Sequence, residues 1–137
     1  MGANKARGTR WETTVVNYLR SVLHRSTDVY RPAQVGFQDV GDIHLAEDFI
    51  LQCKDWEKWS KADLWRFTDA ANLQAIHAGR PWGVAVVKRR RDGGTGSTGS
   101  VDTATVAMDL ATFGEIVSDL VEGREAINRL EELEDKE

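Results

Sequence analysis

A dense run of β-branched residues, "WGVAVVK" at positions 82–88, constrains the fold of this chain more than any other feature. Such a run is typical of a strand that is buried on both faces, which requires helices above and below its sheet. The length of 137 residues fits one domain with a single core. We therefore expect this run to lie inside a small α/β domain.

Hydrophobic periodicity and turn residues predict the other elements. Thr9 and Glu12 have the spacing of a capping box at the start of a first helix, and Ser60 can cap a second helix. The first half of the chain is predicted to form a helix over roughly 9–24, a short strand and a loop over 29–42, and strands at 42–46 and 49–54 around a tight turn at 47–48. A helix over 61–78 and the strand at 82–88 follow. A glycine- and serine-rich hairpin loop at 89–100 then leads to a strand at 103–109 and a helix over 110–121. This order predicts a central mixed β-sheet flanked by helices.

Charge is distributed unevenly along the chain. The net charge is -4, but residues 122–137 hold seven acids and three bases, so the preceding 121 residues are neutral. Bases are concentrated in residues 1–31 and in "KRRR" at 88–91. An acidic tail beside two basic patches permits a nucleic-acid partner. The tail is expected to be a weak amphipathic helix or a frayed segment, either solvated or part of a dimer seam.

Several classes of protein are disfavoured. No apolar run approaches the ~20 residues of a membrane span, and residues 1–12 lack the apolar core of a secretory signal. The single cysteine, Cys53, excludes an internal disulfide and a cysteine-based zinc site. We therefore expect a cytoplasmic protein with no membrane partner. The sequence also has neither a glycine-rich phosphate loop nor a Ser-His-Asp order.

The stretch "GDIHLAEDFILQCKDW" at 41–56 contains the candidate site. Side chains alternate between the two faces of a strand, so Gln52 and Lys54 share one face and Cys53 points to the other. Asp42 begins the neighbouring strand, and the tight turn is expected to bring it next to Gln52 and Lys54. A carboxylate, an amide oxygen and an ammonium group would then lie within a few ångströms of one another.

That grouping suits metal-assisted hydrolysis of a phosphodiester bond. Mg²⁺ (or Mn²⁺) prefers hard oxygen ligands and keeps several waters. Asp42 would supply a charged ligand, Gln52 a neutral one and the backbone carbonyl of Cys53 a third. Lys54 would orient or deprotonate the attacking water, or neutralise the phosphorane. Glu12, on the first helix, is expected to reach the same metal directly or through water.

Together with "ARGTRWE" at 6–12, these residues resemble the PD-(D/E)xK nuclease superfamily. Within it, the chain looks most like the archaeal-type Holliday junction resolvases and their phage relatives. Those begin with Arg-x-Gly-x-x-x-Glu and continue with a helix, an aspartate on one strand and an acid-x-Lys strand. The likeness covers 7–88 clearly and 101–121 loosely. Gln52 stands where Glu is usual, which should weaken metal binding, and Mrr-type restriction nucleases share this Gln-x-Lys pattern.

The resemblance implies a restriction-endonuclease-like nuclease domain over 1–121, followed by the acidic segment 122–137. It implies a magnesium-dependent DNA endonuclease of DNA recombination that cleaves four-way or branched DNA as a C2 homodimer. The catalytic residues that it implies are Glu12, Asp42, Gln52 and Lys54. Beside such a site, the bases expected to contact DNA phosphates are Arg7, Arg10, Lys58, Lys61, Lys88, Arg89, Arg90 and Arg91.

The same residues allow plainer interpretations. Asp42 and Lys54 can form a surface ion pair across a hairpin, and Glu12 can serve the capping box alone. His44 is typical of a structural position, and Cys53 of a core position. Strand alternation points Asp55 away from Lys54, and we expect it to be solvated.

Two further alternatives concern DNA. The segment "KDWEKWSKADLW" at 54–65 interleaves lysines with tryptophans, which can stack on unpaired bases or form a core edge or a dimer interface. The whole protein could be a non-catalytic nucleic-acid-binding module, or a restriction-like nuclease of linear duplex DNA.

Overall fold

The computed structural model describes residues 2–33, 39, 41–90 and 100–136. Within these ranges the chain forms three helices and five strands, with short 3₁₀ turns at Ser26–Asp28 and Val101–Thr103. The elements are α1 (Gly2–Val22), β1 (Val29–Tyr30), β2 (Ile43–Leu45), β3 (Phe49–Lys54), α2 (Lys61–His77), β4 (Trp82–Val87), β5 (Thr105–Ala107) and α3 (Leu110–Asp135). The predicted order of helices and strands is confirmed.

The five strands form one sheet in the order β1-β2-β3-β4-β5. β3 and β4 run parallel from Phe49 opposite Trp82 to Lys54 opposite Val87, because α2 carries the chain back between them. The other neighbouring pairs are antiparallel. Every residue of β4 is buried. The predicted two-sided burial of this strand and the mixed α/β sheet are therefore confirmed.

α1 covers one face of the sheet. Its residues Trp11, Val15 and Val16 are buried at helical spacing and belong to the core cluster that contains Leu51 and Val86. The indole of Trp11 also donates a hydrogen bond to the Val86 carbonyl oxygen at 3.3 Å. This bond fixes the rotation of α1 over the sheet, and so it fixes where the residue after Trp11 can reach.

α2 covers the opposite face of the sheet. Ser60 and Asp63 form the reciprocal hydrogen bonds of a capping box, so this helix begins where the sequence predicts. α2 packs closely on β4 at Gly83, where a Cβ atom would stand 2.1 Å from the carbonyl oxygen of Ala71. A glycine is therefore needed for the helix to approach the sheet at this point.

The prediction for the start of α1 is wrong. The helix begins at Gly2, so Thr9 lies inside it and cannot form a capping box with Glu12. The Thr9 carbonyl instead accepts a hydrogen bond from the Thr13 hydroxyl at 3.0 Å. Threonine side chains inside helices commonly bond the carbonyl four residues earlier in this way. Good helix formers such as Lys5 and Arg7 extend the helix past the potential cap.

The C-terminal helix also exceeds its predicted length. α3 starts at Leu110, as predicted, with Asp109 as its cap, but runs without a break through the segment 122–135. Residues with good helix propensity and pairs such as Glu125 and Arg129, four positions apart, support its continuation. Most of its apolar side chains are exposed; these are Leu110, Phe113, Val117, Leu120, Val121, Ile127, Leu130 and Leu133. None of the helices in the described ranges is long and apolar enough to cross a membrane.

The close approach at Gly83 gives the first prediction. Gly83→Ala should lower the free energy of unfolding by about 1–3 kcal/mol, because the added methyl group overpacks the contact with the α2 backbone. Urea unfolding followed by circular dichroism measures this loss. Gly114→Ala is the matched control, since no atom lies within 4 Å of a Cβ at that position and alanine favours a helix. Equal stabilities of the two variants would contradict the prediction.

Candidate active site

Asp42 lies immediately before β2 and is tied to β3 by two hydrogen bonds. Its Oδ2 atom accepts from the backbone N–H of Cys53 at 2.8 Å, and its own N–H donates to the Leu51 carbonyl at 3.1 Å. Ile43 pairs with Leu51 in the antiparallel register, so Asp42 continues that register opposite Gln52. The turn therefore brings the aspartate and the Gln-x-Lys segment together, as predicted.

Glu12 reaches the same place from α1. Its side chain hydrogen-bonds with the carboxyl group of Asp42, and one of its oxygens lies 3.9 Å from Nη2 of Arg31. Burial raises the pKa of Asp42 to about 7, and the nearby Glu12 carboxylate adds to the rise. The Cys53 N–H and the charge of Lys54 act in the opposite direction. The two carboxyl groups thus share a site that disfavours two negative charges.

Gln52 supplies a buried oxygen without a hydrogen-bond partner. Gln52 is only 8% exposed, and its Oε1 atom accepts no hydrogen bond within the described chain. An unsatisfied buried acceptor costs about 1–3 kcal/mol. A cation bound at Oε1 would remove that cost and would also favour ionised Asp42.

The donor set fits a hard cation that retains water. Asp42, Gln52 and Glu12 offer carboxylate and amide oxygens, which are the ligands that Mg²⁺ prefers. No group of three or more His, Cys, Asp or Glu side chains suited to a metal occurs in the part of the chain that the structure describes. A metal at this site would therefore depend on two acids, the neutral Gln52 oxygen and water molecules.

Lys54 ends β3 with its ammonium group beside two aromatic rings. The ammonium group lies 5.4 Å from the centre of the Phe67 ring and 6.0 Å from that of Trp56. Its charge lowers the pKa of Asp42, which shows that the two groups interact. The aromatic rings favour a cation in this position, so the half-buried lysine stays close to the carboxylate.

The plainer interpretations of Cys53 and His44 are confirmed. The Cys53 side chain packs against the core cluster under α1. Burial raises the pKa of its thiol well above the usual value, and the charges of Asp42 and Glu12 add to this. A protonated thiol is a poor nucleophile. His44 is buried, with its Nδ1 atom 3.3 Å from the hydroxyl oxygen of Tyr30.

The prediction that Asp55 is solvated is wrong. Its side chain is only 1% exposed, and its Oδ1 atom accepts from Arg90 Nε at 2.6 Å. The nitrogens Lys88 Nζ and Arg7 Nε lie 3.7 Å and 3.9 Å from Oδ2. The hydrogen bond to Asp55 raises the pKa of Arg90. Alternation along β3 turns Asp55 toward α1, where the start of that helix and the end of β4 converge on it.

An open cleft of about 520 Å³ lies beside this cluster. Its lining residues are Arg7, Gly8, Cys53, Lys54, Asp55, Trp56, Glu57 and Lys58. Of the other bases predicted to contact DNA, Arg10, Lys61 and Arg89 are exposed outside the cleft lining. Arg91 lies outside the described residues. The cleft thus joins the "ARGTRWE" segment to the Gln-x-Lys strand.

Scans against protein-family models, curated proteins and solved structures find no match to this chain. The assignment therefore rests on the residues themselves. Two of them, Arg31 and Asp55, were missed by sequence reasoning. Alternation already pointed Asp55 at the α1 face and could have indicated its burial, whereas no pattern around Arg31 pointed to Glu12.

The raised pKa of Asp42 predicts a pH-dependent stability. Below the ordinary value of 3.8 the group is protonated whether the chain is folded or not, and the folded state keeps its proton up to about pH 7. Wild type should therefore lose stability relative to Asp42→Asn as the pH rises through this window, by up to about 1.4 kcal/mol for each pH unit between the two pKa values. Urea unfolding of both proteins in EDTA between pH 3.5 and 8 measures the difference.

Two additions sharpen that measurement. Glu12→Gln should make the loss smaller and end it at lower pH, because it removes a charge that raises the pKa of Asp42 in the folded state. Millimolar MgCl₂ at pH 8 should stabilise wild type and not Asp42→Asn. A difference between wild type and Asp42→Asn that does not change with pH would contradict the buried carboxyl pair.

Proposed function

We propose that this protein is a divalent-metal-dependent DNA endonuclease with a restriction-endonuclease-like domain. One observation supports the proposal: Asp42, bonded to β3 through the Cys53 N–H, lies beside Glu12 of α1. The same strand carries Lys54 and also Gln52, whose buried oxygen has no hydrogen-bond partner in the described chain. Two acids, a neutral oxygen and a cation form the set required for metal-assisted hydrolysis of a phosphodiester. The positive cleft beside them suits a polyanion.

Each residue has a distinct role in this proposal. Asp42, Gln52 and the Cys53 carbonyl would hold Mg²⁺ or Mn²⁺, which supplies a Lewis acid when bound. Lys54 donates hydrogen bonds to the attacking water or to a non-bridging phosphate oxygen, where negative charge develops. Glu12 would reach the same metal directly or through a bound water.

The substrate proposed is four-way or otherwise branched DNA. Such DNA presents two equivalent strands, and a C2 homodimer with two sites matches that symmetry. The exposed apolar residues of α3 support a second copy, which would remove them from water. Recognition would rest on phosphates and junction shape, through bases such as Arg7 and Lys58.

A non-catalytic DNA-binding module is the second candidate, and the neutral Gln52 side chain favours it because a glutamate would bind Mg²⁺ more strongly. Incubation of the pure protein with labelled four-way junctions, flaps and linear duplex in MgCl₂ or EDTA separates the candidates. Nicking that requires the metal supports the nuclease. Binding without nicking supports the module, and preferential cutting of linear duplex supports a restriction-like enzyme.

Asp42→Asn and Lys54→Ala should each reduce the cleavage rate at least 100-fold, because loss of a metal carboxylate or a transition-state cation costs several kcal/mol. Affinity for the same DNA, measured by fluorescence anisotropy in EDTA, should change little, since most of the basic residues remain. Asp69→Asn, on the exposed side of α2, is the charge-matched control and should cleave at the wild-type rate. Wild-type cleavage by either site variant would refute the assignment.

Gln52→Glu should tighten binding of Mg²⁺ by roughly tenfold or more, a gain of about 1.4 kcal/mol, because hard cations favour charged oxygen ligands. Titration calorimetry measures the affinity. In EDTA the same variant should be less stable than wild type, since a third carboxyl group joins Glu12 and Asp42 in a buried site. Unchanged affinity and unchanged stability would show that Gln52 is not a ligand.

A further inference from the structure

The loop between β3 and α2 carries two tryptophans that the core does not bury. Trp56 and Trp59 are 43% and 41% exposed. The Trp56 ring meets Phe67 at an interplanar angle of 85° with 4.8 Å between centroids. This perpendicular contact fixes the ring without stacking a second ring on it. Trp56 therefore lies at the edge of the core beside Phe67, as one of the predicted alternatives has it, and much of its ring stays exposed.

The surroundings of Trp56 are positively charged. Lys54 and Lys58 line the cleft together with Trp56. The lining also contains one exposed acid, Glu57. The other acid of the lining, Asp55, is compensated by the three cations that surround its carboxylate. Exposed aromatic rings beside lysines match a single nucleic-acid strand, whose bases have apolar faces and whose phosphates are anionic.

The spacing also fits a nucleotide strand. The Lys54 ammonium group lies 6.0 Å from the Trp56 ring centre, and a stacked strand rises about 3.4 Å per nucleotide. A phosphate bound at Lys54 thus places a base within one or two nucleotides of the Trp56 ring. Base pairs inside a duplex are stacked on both sides, so only an unpaired or terminal base can offer its face to the ring.

We propose that Trp56 and Trp59 stack on unpaired bases next to the scissile phosphate, so that the substrates are DNAs with unpaired nucleotides, such as gapped, flapped or partly opened branch points. The position next to the scissile phosphate rests on the proposed nuclease function, whereas the stacking itself does not require cleavage. A second protein molecule is the other possible occupant of these rings, and the experiment distinguishes it.

Binding in EDTA tests the stacking without cleavage. The probes are a fluorescein-labelled single strand of mixed sequence and a fully paired, blunt duplex with the same number of nucleotides per strand. Trp56→Ala with Trp59→Ala should weaken single-strand binding by roughly fivefold or more per ring lost and duplex binding by less than twofold. Trp65→Ala, an exposed tryptophan on α2 and not on the loop between β3 and α2, is the matched control and should bind both probes normally.

Two further measurements complete the design. Trp56→Phe keeps an aromatic ring and should retain most of the single-strand affinity, and unfolding in urea verifies that each variant is folded. Equal losses for both probes, or no loss for either, would overturn the inference. So would a double variant that binds DNA normally but changes its association state in sedimentation, because the rings would then contact protein.

Failure of the inference differs from failure of the proposed function. If the double tryptophan variant loses single-strand affinity but wild type never nicks DNA in MgCl₂, the stacking surface is supported and the nuclease is not. If wild type nicks branched DNA, and the double tryptophan variant nicks gapped and fully paired junctions at unchanged rates, the nuclease stands and the stacking does not.

Discussion

The parallel pairing of β3 with β4 is the interaction on which the rest of this structure depends. Six consecutive residue pairs join the two strands, and burial of all of β4 places this pair at the centre of the domain. α1 is fixed to one face through Trp11 and Val86, and α2 approaches the other face at Gly83. Because Gln52 and Lys54 belong to β3, the site residues lie on the most constrained part of the fold.

The burial that stabilises the sheet also sets the electrostatics of the site. Glu12 and Asp42 are brought together in a place where water solvates them poorly, so one negative charge is disfavoured there. A third carboxylate in place of Gln52 would increase this repulsion whenever no cation is bound. The neutral amide lowers that cost, and under the proposed function it would bind a cation less strongly than a carboxylate.

Much of the fold could be predicted because local signals agreed with burial. The β-branched residues around Val86 and the Ser60 cap each specify one structure. Strand alternation put Gln52 and Lys54 on one face, and the tight turn at 47–48 brought Asp42 opposite Gln52. The start of α1 could not be predicted, since the cap signal at Thr9 competes with stronger helix propensity. The partners of Asp55 could not be predicted either, because they come from distant segments and depend on how α1 docks.

Asp55 gives the folded chain a property that its separate segments lack. Its partner Arg90 is 35 residues away in sequence, and Arg7 comes from the other end of the domain, so the cluster can close only after β4 has paired and α1 has docked. Contacts of such long sequence separation form late because loop closure costs entropy. In a partly folded chain these cations are dispersed and solvated, and the cleft has no organised positive wall. Under the proposed function, affinity for polyanions would thereby be coupled to completion of the fold.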